Sequence, residues 1–328
     1  MVRCLWLIAL FSFFMADKAH AVVHTTKPYS YEVLQNDLTT LKSTYNDSIQ
    51  IKSIGRSHFG RDIYAIHLGT GKKNILLIGS HHGREWLTSM LLMKMLETYA
   101  NAYQNQLPIG TNPTNILNDV SIWFVPMVNP DGVDIQQNHI GEFPPEQQTR
   151  LLFMNKGKND FIRWKANGMG VDLNRQYPMD WRSIARKPKR PSFQFYKGKA
   201  PLEAAEVVAL TNFIQDIQPS MALTYHTAGR EIYWRYKNGI HLVRDYILAK
   251  KVAKLTGYKL AKPPKKATGG GFTDWFIPTY HHPAMTIEIS YLVGDRHPPL
   301  SVFKEEWKRN KYVGIKMAEE AKKFVRKD

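Results

Sequence analysis

Apolar residues recur along this chain at two different spacings, and the alternation between them predicts its elements. Between 31 and 45, Leu34, Leu38, Leu41 and Tyr45 return every three or four residues, the period of a helix with one buried face. Ser30 stands where its N-cap belongs. Two strand-like runs follow, 49–54 and 62–68, joined by a turn that contains Gly60. The unbroken apolar run 74–79 reads as a buried strand, and so does 121–126; a helix is expected between them over 87–103. Further strands are expected at 221–225, 232–236 and 284–289, and helices at 202–216, 242–255 and 303–325. Asn129-Pro130-Asp131-Gly132 reads as a loop and 269–271 as a glycine-rich turn. Residues 133–200 are rich in Pro, Asn, Gly and charge and read as long loops with short helical pieces. Loops of that length in a compact domain usually carry function. Strands alternating with helices predict an α/β fold: a mixed, mostly parallel twisted sheet flanked by helices on both faces. In such sheets chemistry gathers at the carboxyl ends of the strands.

Composition narrows the setting. With 328 residues, 43% of them hydrophobic, the chain can bury the core of one large domain. Arg3 followed by the apolar run 4–16 is too short for the roughly 20 residues that span a bilayer. Ala19-His20-Ala21 offers small residues where a signal peptidase reads, so 1–21 is expected to be a signal peptide cleaved before Val22. That leaves 22–328 as the catalytic domain, outside the cytoplasm, with no later segment long and apolar enough to span. Cys4 is the only cysteine and would leave with the signal, which excludes a Cys nucleophile, a thiolate zinc site and any disulfide. The absence of disulfides in a secreted chain suggests a bacterial source.

The net charge is +17; Arg3, Lys18 and Asp17 leave the first 21 residues at +1, so the remainder carries +16. Basic residues cluster at Lys156 and Lys158, and at Arg182, Arg186, Lys187, Lys189 and Arg190. Such a field favours anionic partners, and outside a cell these are wall polymers or membrane surfaces. No nucleic-acid motif is present.

The candidate chemistry begins at His82-Gly83-Arg84-Glu85, at the mouth of the strand 74–79. A His and a Glu three residues apart can bind one metal ion together, and a hydrolytic zinc usually takes three protein ligands and keeps one position for water. His226, at the end of the run 221–225, is the expected third ligand. Glu288 lies in the otherwise apolar Thr286-Ile287-Glu288-Ile289, where a carboxylate is costly unless paired or functional. Partial burial would raise its pKa toward that of a general base. Arg84 is the candidate cation for a developing oxyanion. Arg163, Lys165 and Arg175 can also reach the cleft, and Asn174-Arg175 is the candidate grip on a substrate carboxylate. His81 is expected to point the other way, as neighbours on an extended chain do. His281 and His282 are expected in an exposed turn, and Trp86, Trp164 and Trp275 in the core.

In order along the chain, Gly60-Arg61-Asp62, His82-Gly83-Arg84-Glu85-Trp86, Asn129-Pro130-Asp131-Gly132, Gly170-Val171-Asp172-Leu173-Asn174-Arg175, His226 and Thr286-Ile287-Glu288 resemble the markers of the M14 family of zinc carboxypeptidases. The resemblance covers nearly everything from Tyr31 onward. It implies Zn²⁺ held by His82, Glu85 and His226, Glu288 as base, Arg84 near the substrate carbonyl, and Asn174 with Arg175 on a terminal carboxylate. Trp164-Lys165-Ala166-Asn167, Tyr225-His226-Thr227-Ala228-Gly229 with Ile232-Tyr233-Trp234, and Gly270-Gly271-Phe272-Thr273-Asp274-Trp275-Phe276 are similar to the bacterial branch that cleaves γ-D-glutamyl-diaminopimelate bonds in peptidoglycan stem peptides. Two departures stand out. Digestive members carry an Arg where this chain has Lys165, and a mobile Tyr before the glycine-rich turn where this chain has Lys265-Lys266. A Tyr-capped apolar specificity pocket is therefore not expected, nor is a prosegment between Ala21 and Tyr31. The leading expectation is a secreted zinc peptidase acting on wall peptides. The alternatives are a carboxypeptidase that removes ordinary C-terminal residues and a non-catalytic wall-binding protein on a peptidase fold. A Ser hydrolase lacks its Gly-x-Ser-x-Gly motif.

Overall fold

Eight strands form one sheet in the computed structural model, which describes residues 21–185, 188–263 and 268–324. The strands are β1 (Ile49–Arg56), β2 (Asp62–Leu68), β3 (Lys73–Ile78), β4 (Val120–Val125), β5 (Ala222–Thr227), β6 (Glu231–Tyr233), β7 (Lys259–Ala261) and β8 (Ala284–Ile289). Their order across the sheet is β1-β2-β4-β3-β5-β8-β6-β7. The centre, β4-β3-β5-β8, is parallel; β2 on β4, β1 on β2 and β6 on β8 are antiparallel. The mixed, mostly parallel sheet expected from the sequence is thus what forms.

Both faces are covered because the central strands carry apolar residues on each of them. In β3, Ile75 and Leu77 pack with one core while Leu76 and Ile78 pack with the other. On the first face lie α1 (Tyr31–Thr44), α2 (Leu87–Gln104), α6 (Leu242–Thr256), α8 (Phe303–Asn310) and α9 (Val313–Lys322). On the second lie α5 (Ala205–Ile217) and α7 (Phe272–Tyr280). Ser30 caps α1 as expected, accepting from the Val33 N–H at 3.2 Å.

Four elements differ from the sequence reading, among them β7, a short strand at 259–261 for which there was no expectation. The loop 129–132 opens a helix, α3 (Pro130–Gln136): the Asn129 side chain accepts from Gly132 N–H at 2.9 Å and Pro130 takes the first helical position. The expected helix 303–325 is two helices. The Tyr99 hydroxyl donates to Lys311 O (2.8 Å) and accepts from Ile315 N–H (3.1 Å), standing between the pair that would continue the ladder. The helix α7 follows the glycine-rich turn, masked in the sequence by Pro278 inside it. A short helix, α4 (Pro145–Met154), is one of the expected helical pieces in 133–200.

The markers outside the cleft are structural. Arg61 pairs with Asp131 (3.0 Å), Asp134 (2.8 Å) and Glu142 (2.7 Å), tying the β1–β2 turn to α3. Beside this cluster Glu206 is fully buried; burial, with Asp131 adding, pushes its carboxyl up to about 7. The native chain therefore keeps a proton that the unfolded chain releases, so stability falls as pH rises from about 4.5 to about 7. The shift corresponds to about 3 kcal/mol. Glu206→Gln keeps an acceptor for Asn167 and should raise thermal stability at pH 8 while changing little at pH 4. Melting curves across that range check this; an equal effect at both pH values would refute it.

Candidate metal centre and active-site cleft

Four functional side chains arrive at the carboxyl ends of neighbouring parallel strands. His82 follows β3 and leads into a tight turn, Gly83–Glu85, that brings Glu85 back beside it. His226 sits near the end of β5, and Glu288 is its register partner on β8, so both project from the same face. The turn is held against α3 by close backbone approach. A Cβ at Gly83 would lie 2.1 Å from Gly132 O, and one at Gly132 would lie 2.4 Å from Ala166 O. The Asn129 amide donates to both His81 O and Ala166 O at 3.1 Å, joining three loops.

The two imidazoles turn Nδ1 toward the Glu85 carboxylate: His82 Nδ1 lies 2.8 Å from Oε1 and His226 Nδ1 lies 2.9 Å from Oε2. The two Nδ1 atoms are 3.2 Å apart. On the far side of its ring, His82 Nε2 meets Asp172 Oδ1 at 3.1 Å. That contact places a proton on Nε2 and leaves the Nδ1 lone pair facing a carboxylate oxygen. Lone pair against lone pair is unfavourable unless a cation lies between them. One donor atom from each of His82, Glu85 and His226 falls within 4.8 Å of the others. Two nitrogens and a carboxylate, with a carboxylate behind one imidazole, suit zinc.

Glu288 is half-buried and hydrogen-bonds to no described residue. Burial pushes its carboxyl well above the ordinary range, and the Glu85 charge adds to the shift. A carboxylate beside the trio, with its basicity raised, can accept a proton from water.

The cleft in front of these groups holds about 350 Å³ and is lined by Arg84, Lys165, Asn174 and Arg175 as well as the trio and Glu288. Lys165 and Arg175 both pair with Asp172 Oδ2, at 3.6 and 3.5 Å, and both lie over the Phe195 ring, at 4.9 and 5.3 Å from its centroid. Phe195 has φ +66°, a left-handed conformation that costs a bulky residue energy and is common where a site needs it. Asn174 spends its carbonyl on the Phe272 N–H (2.9 Å), which leaves its amide N–H pair to offer a ligand. Arg84 is tied down: it donates to Arg163 O (3.1 Å), Gln194 Oε1 (3.0 Å) and Asp295 Oδ1 (3.2 Å). Arg163 is a correction. Its guanidinium stacks on Phe193, 4.9 Å from the centroid, and it is not among the residues that line the cleft. Its contribution is the backbone oxygen that holds Arg84.

His81 is a second correction. It does not turn away from the site: its ring stacks on His226 with centroids 5.4 Å apart, and Nε2 meets the Tyr177 hydroxyl at 2.9 Å. The chain leaves its extended course at Ser80, φ +46°, so alternation no longer applies there. His281 is exposed and His282 half-buried, close to expectation, and Trp86, Trp164 and Trp275 are buried.

Sequence reasoning also missed Asp172. Its signal was available, since an acid flanked by Val171 and Leu173 in a buried turn resembles the setting that drew notice to Glu288. It missed a hydroxyl floor too. Thr273 and Thr286 line the cleft with hydroxyls 2.7 Å apart, and Thr224 continues the chain 3.2 Å from Thr286. Lys265-Lys266, like Arg186, Lys187 and the segment 1–20, lies outside the described residues. No helix of the described residues is long and apolar enough to cross a membrane.

Residues 34–312 match the family model described as zinc carboxypeptidase. The chain is 33% identical over 288 residues to gamma-D-glutamyl-L-diamino acid endopeptidase 1 of Lysinibacillus sphaericus, covering 86% of this chain and 70% of that protein. It is 30% identical over 184 residues to metallocarboxypeptidase A of Trichophyton rubrum, covering 55% of this chain and 39% of that protein. Among solved structures, thrombin activatable fibrinolysis inhibitor superposes with a TM-score of 0.73 at 17% identity, over 94% of this chain and 79% of that one.

Proposed function

We propose that this chain, which belongs to the zinc carboxypeptidase family, is a secreted peptidase that hydrolyses the γ-D-glutamyl-diaminopimelate amide of peptidoglycan stem peptides. The observation that carries the reading is the convergence of His82, Glu85 and His226 with Glu288 on the neighbouring strand. The three would hold Zn²⁺, which supplies Lewis-acid polarisation and an acidified water. Glu288 takes the proton from the attacking water and returns it to the leaving amine. Lys165 and Arg84 face the carbonyl oxygen as negative charge develops on it. Arg175 and the Asn174 amide hold the carboxylate next to the cleaved bond. The signal peptide 1–21 would deliver the domain 22–328 to its substrate outside the cytoplasm, and the basic clusters would favour retention on anionic wall polymers.

The substrate class rests on the cleft. Its floor carries Thr273 and Thr286 hydroxyls, and beyond the groups already assigned Asp274 and Arg235 line it. Such a surface suits a side chain ending in charge, as diaminopimelate does, better than an aliphatic or aromatic one. The Lysinibacillus relative is named for a γ-D-glutamyl-diamino acid bond, which agrees. Ordinary C-terminal residues are the second reading, favoured by the similarity to a metallocarboxypeptidase.

Incubation with stem tripeptides and tetrapeptides and with a panel of ordinary peptides, read by mass, separates the two. We expect products with a free γ-D-glutamyl carboxylate and a free diaminopimelate amine. Trimming of ordinary C-termini with stem peptides left intact would overturn the substrate assignment, and no hydrolysis of either set by zinc-loaded protein would point to the non-catalytic alternative.

A further inference from the structure

An apolar row runs along the outward face of α6 and the turn before it. Ile240 is 93% exposed, Val243 68%, Ile247 48% and Tyr246 43%. Continuing at helical spacing, the row ends in Lys250 and Lys254, both exposed. It carries no acid, because Asp245, the one carboxylate of α6, is buried against Asn238 and Arg244. Helix burial normally hides residues at this spacing; here the opposite face, Leu248, Ala249 and Val252, already supplies the core contact. The row continues to the cleft: Tyr246 packs on Trp234 with centroids 5.3 Å apart, and Trp234 and the exposed Arg235 line the cleft.

We infer that this face docks the protein on an anionic lipid bilayer, with Ile240 and Val243 in the acyl boundary and Lys250 and Lys254 on the headgroups. A bilayer offers an apolar phase and negative charge side by side, which is what the row presents. A wall polymer offers anions but nothing for Ile240. A second copy of the chain would set lysine against lysine or against isoleucine. Docking there would bring the mouth of the cleft close to the membrane plane and favour substrates still held at that surface. The inference stands apart from the proposed reaction, because binding is measured without turnover.

The experiment uses the zinc-loaded chain 22–328, free of the apolar run 4–16 that would itself partition into lipid, and vesicles of phosphatidylcholine alone or with phosphatidylglycerol. Cysteine-free after residue 21, that chain carries an environment-sensitive fluorophore on Ile240→Cys alone; Leu107→Cys, another exposed apolar position, is the control. We expect a blue shift at 240 on phosphatidylglycerol vesicles only, and none at 107. Reversing Lys250 and Lys254 to Glu should weaken the shift more than about tenfold in lipid concentration, since each reversal turns attraction to the anionic surface into repulsion. Ile240→Ser with Val243→Ser, tested by sedimentation with the vesicles, should lower the bound fraction. These exposed substitutions should leave melting temperature and hydrolysis of soluble peptide unchanged. No shift at 240, equal shifts at 240 and 107, or a shift that follows protein concentration without lipid would overturn the inference. The last result would assign the face to self-association.

Discussion

Glu288→Gln should keep about one zinc per chain and lose roughly a thousandfold in kcat, within the range expected when a general base is removed. That loss corresponds to about 4 kcal/mol of transition-state stabilisation. The reasoning is geometric first. Glu288 stands beside His226 across the β5–β8 pair, faces the same cleft and has no hydrogen-bond partner among the described residues that would occupy its carboxylate. It is not one of the three grouped donors, so amidation removes a base and not a ligand. Burial and the Glu85 charge raise its carboxyl well above the ordinary range, which suits proton transfer. Gln is isosteric and neutral, and it relieves a buried charge, so the fold should be no less stable. Metal analysis and steady-state kinetics on the same preparation check this. Turnover within tenfold of the parent would remove Glu288 as base. Loss of zinc would instead make it a ligand.

What the sequence disclosed of this site follows from where each residue's signal lies. His82 and Glu85 drew notice through their three-residue spacing after an apolar strand, and His226 and Glu288 because each is a polar residue in an otherwise apolar strand, where only function or pairing explains it. The central strands were legible because burial on both faces makes them short, largely apolar runs. The helix break at Lys311 was not, because its cause is Tyr99, more than two hundred residues away in the chain. Arg163 was misjudged because a cation near the right segment says nothing about which way its side chain turns; Phe193 decided that. His81 was misjudged because alternation assumes an extended backbone that ends one residue earlier. The hydroxyl floor needed three threonines from β5, α7 and β8 in one place, a conjunction that no local pattern shows.

Asp172→Asn is expected to cost ten- to a hundredfold in zinc affinity and to raise KM as well, although Asp172 is not among the three donors. Its Oδ1 accepts from His82 Nε2 and so fixes the tautomer that exposes the Nδ1 lone pair to the metal. Its Oδ2 pairs with Lys165 and Arg175. Burial opposes its charge, but Lys165 and then His82 hold its carboxyl well below the ordinary range. An Asn at this position can present N–H instead of oxygen to His82, which would move the imidazole proton to Nδ1, into the metal site. It also leaves two cations without their counter-charge, so their aim at a substrate carboxylate loosens. Saturating zinc should therefore restore much of kcat but not KM, a split that a general loss of stability would not produce. Zinc affinity and KM both at parental values would show that Asp172 only fills space. Recovery of both at high zinc would confine its role to the metal and leave the orientation of Arg175 to Phe195.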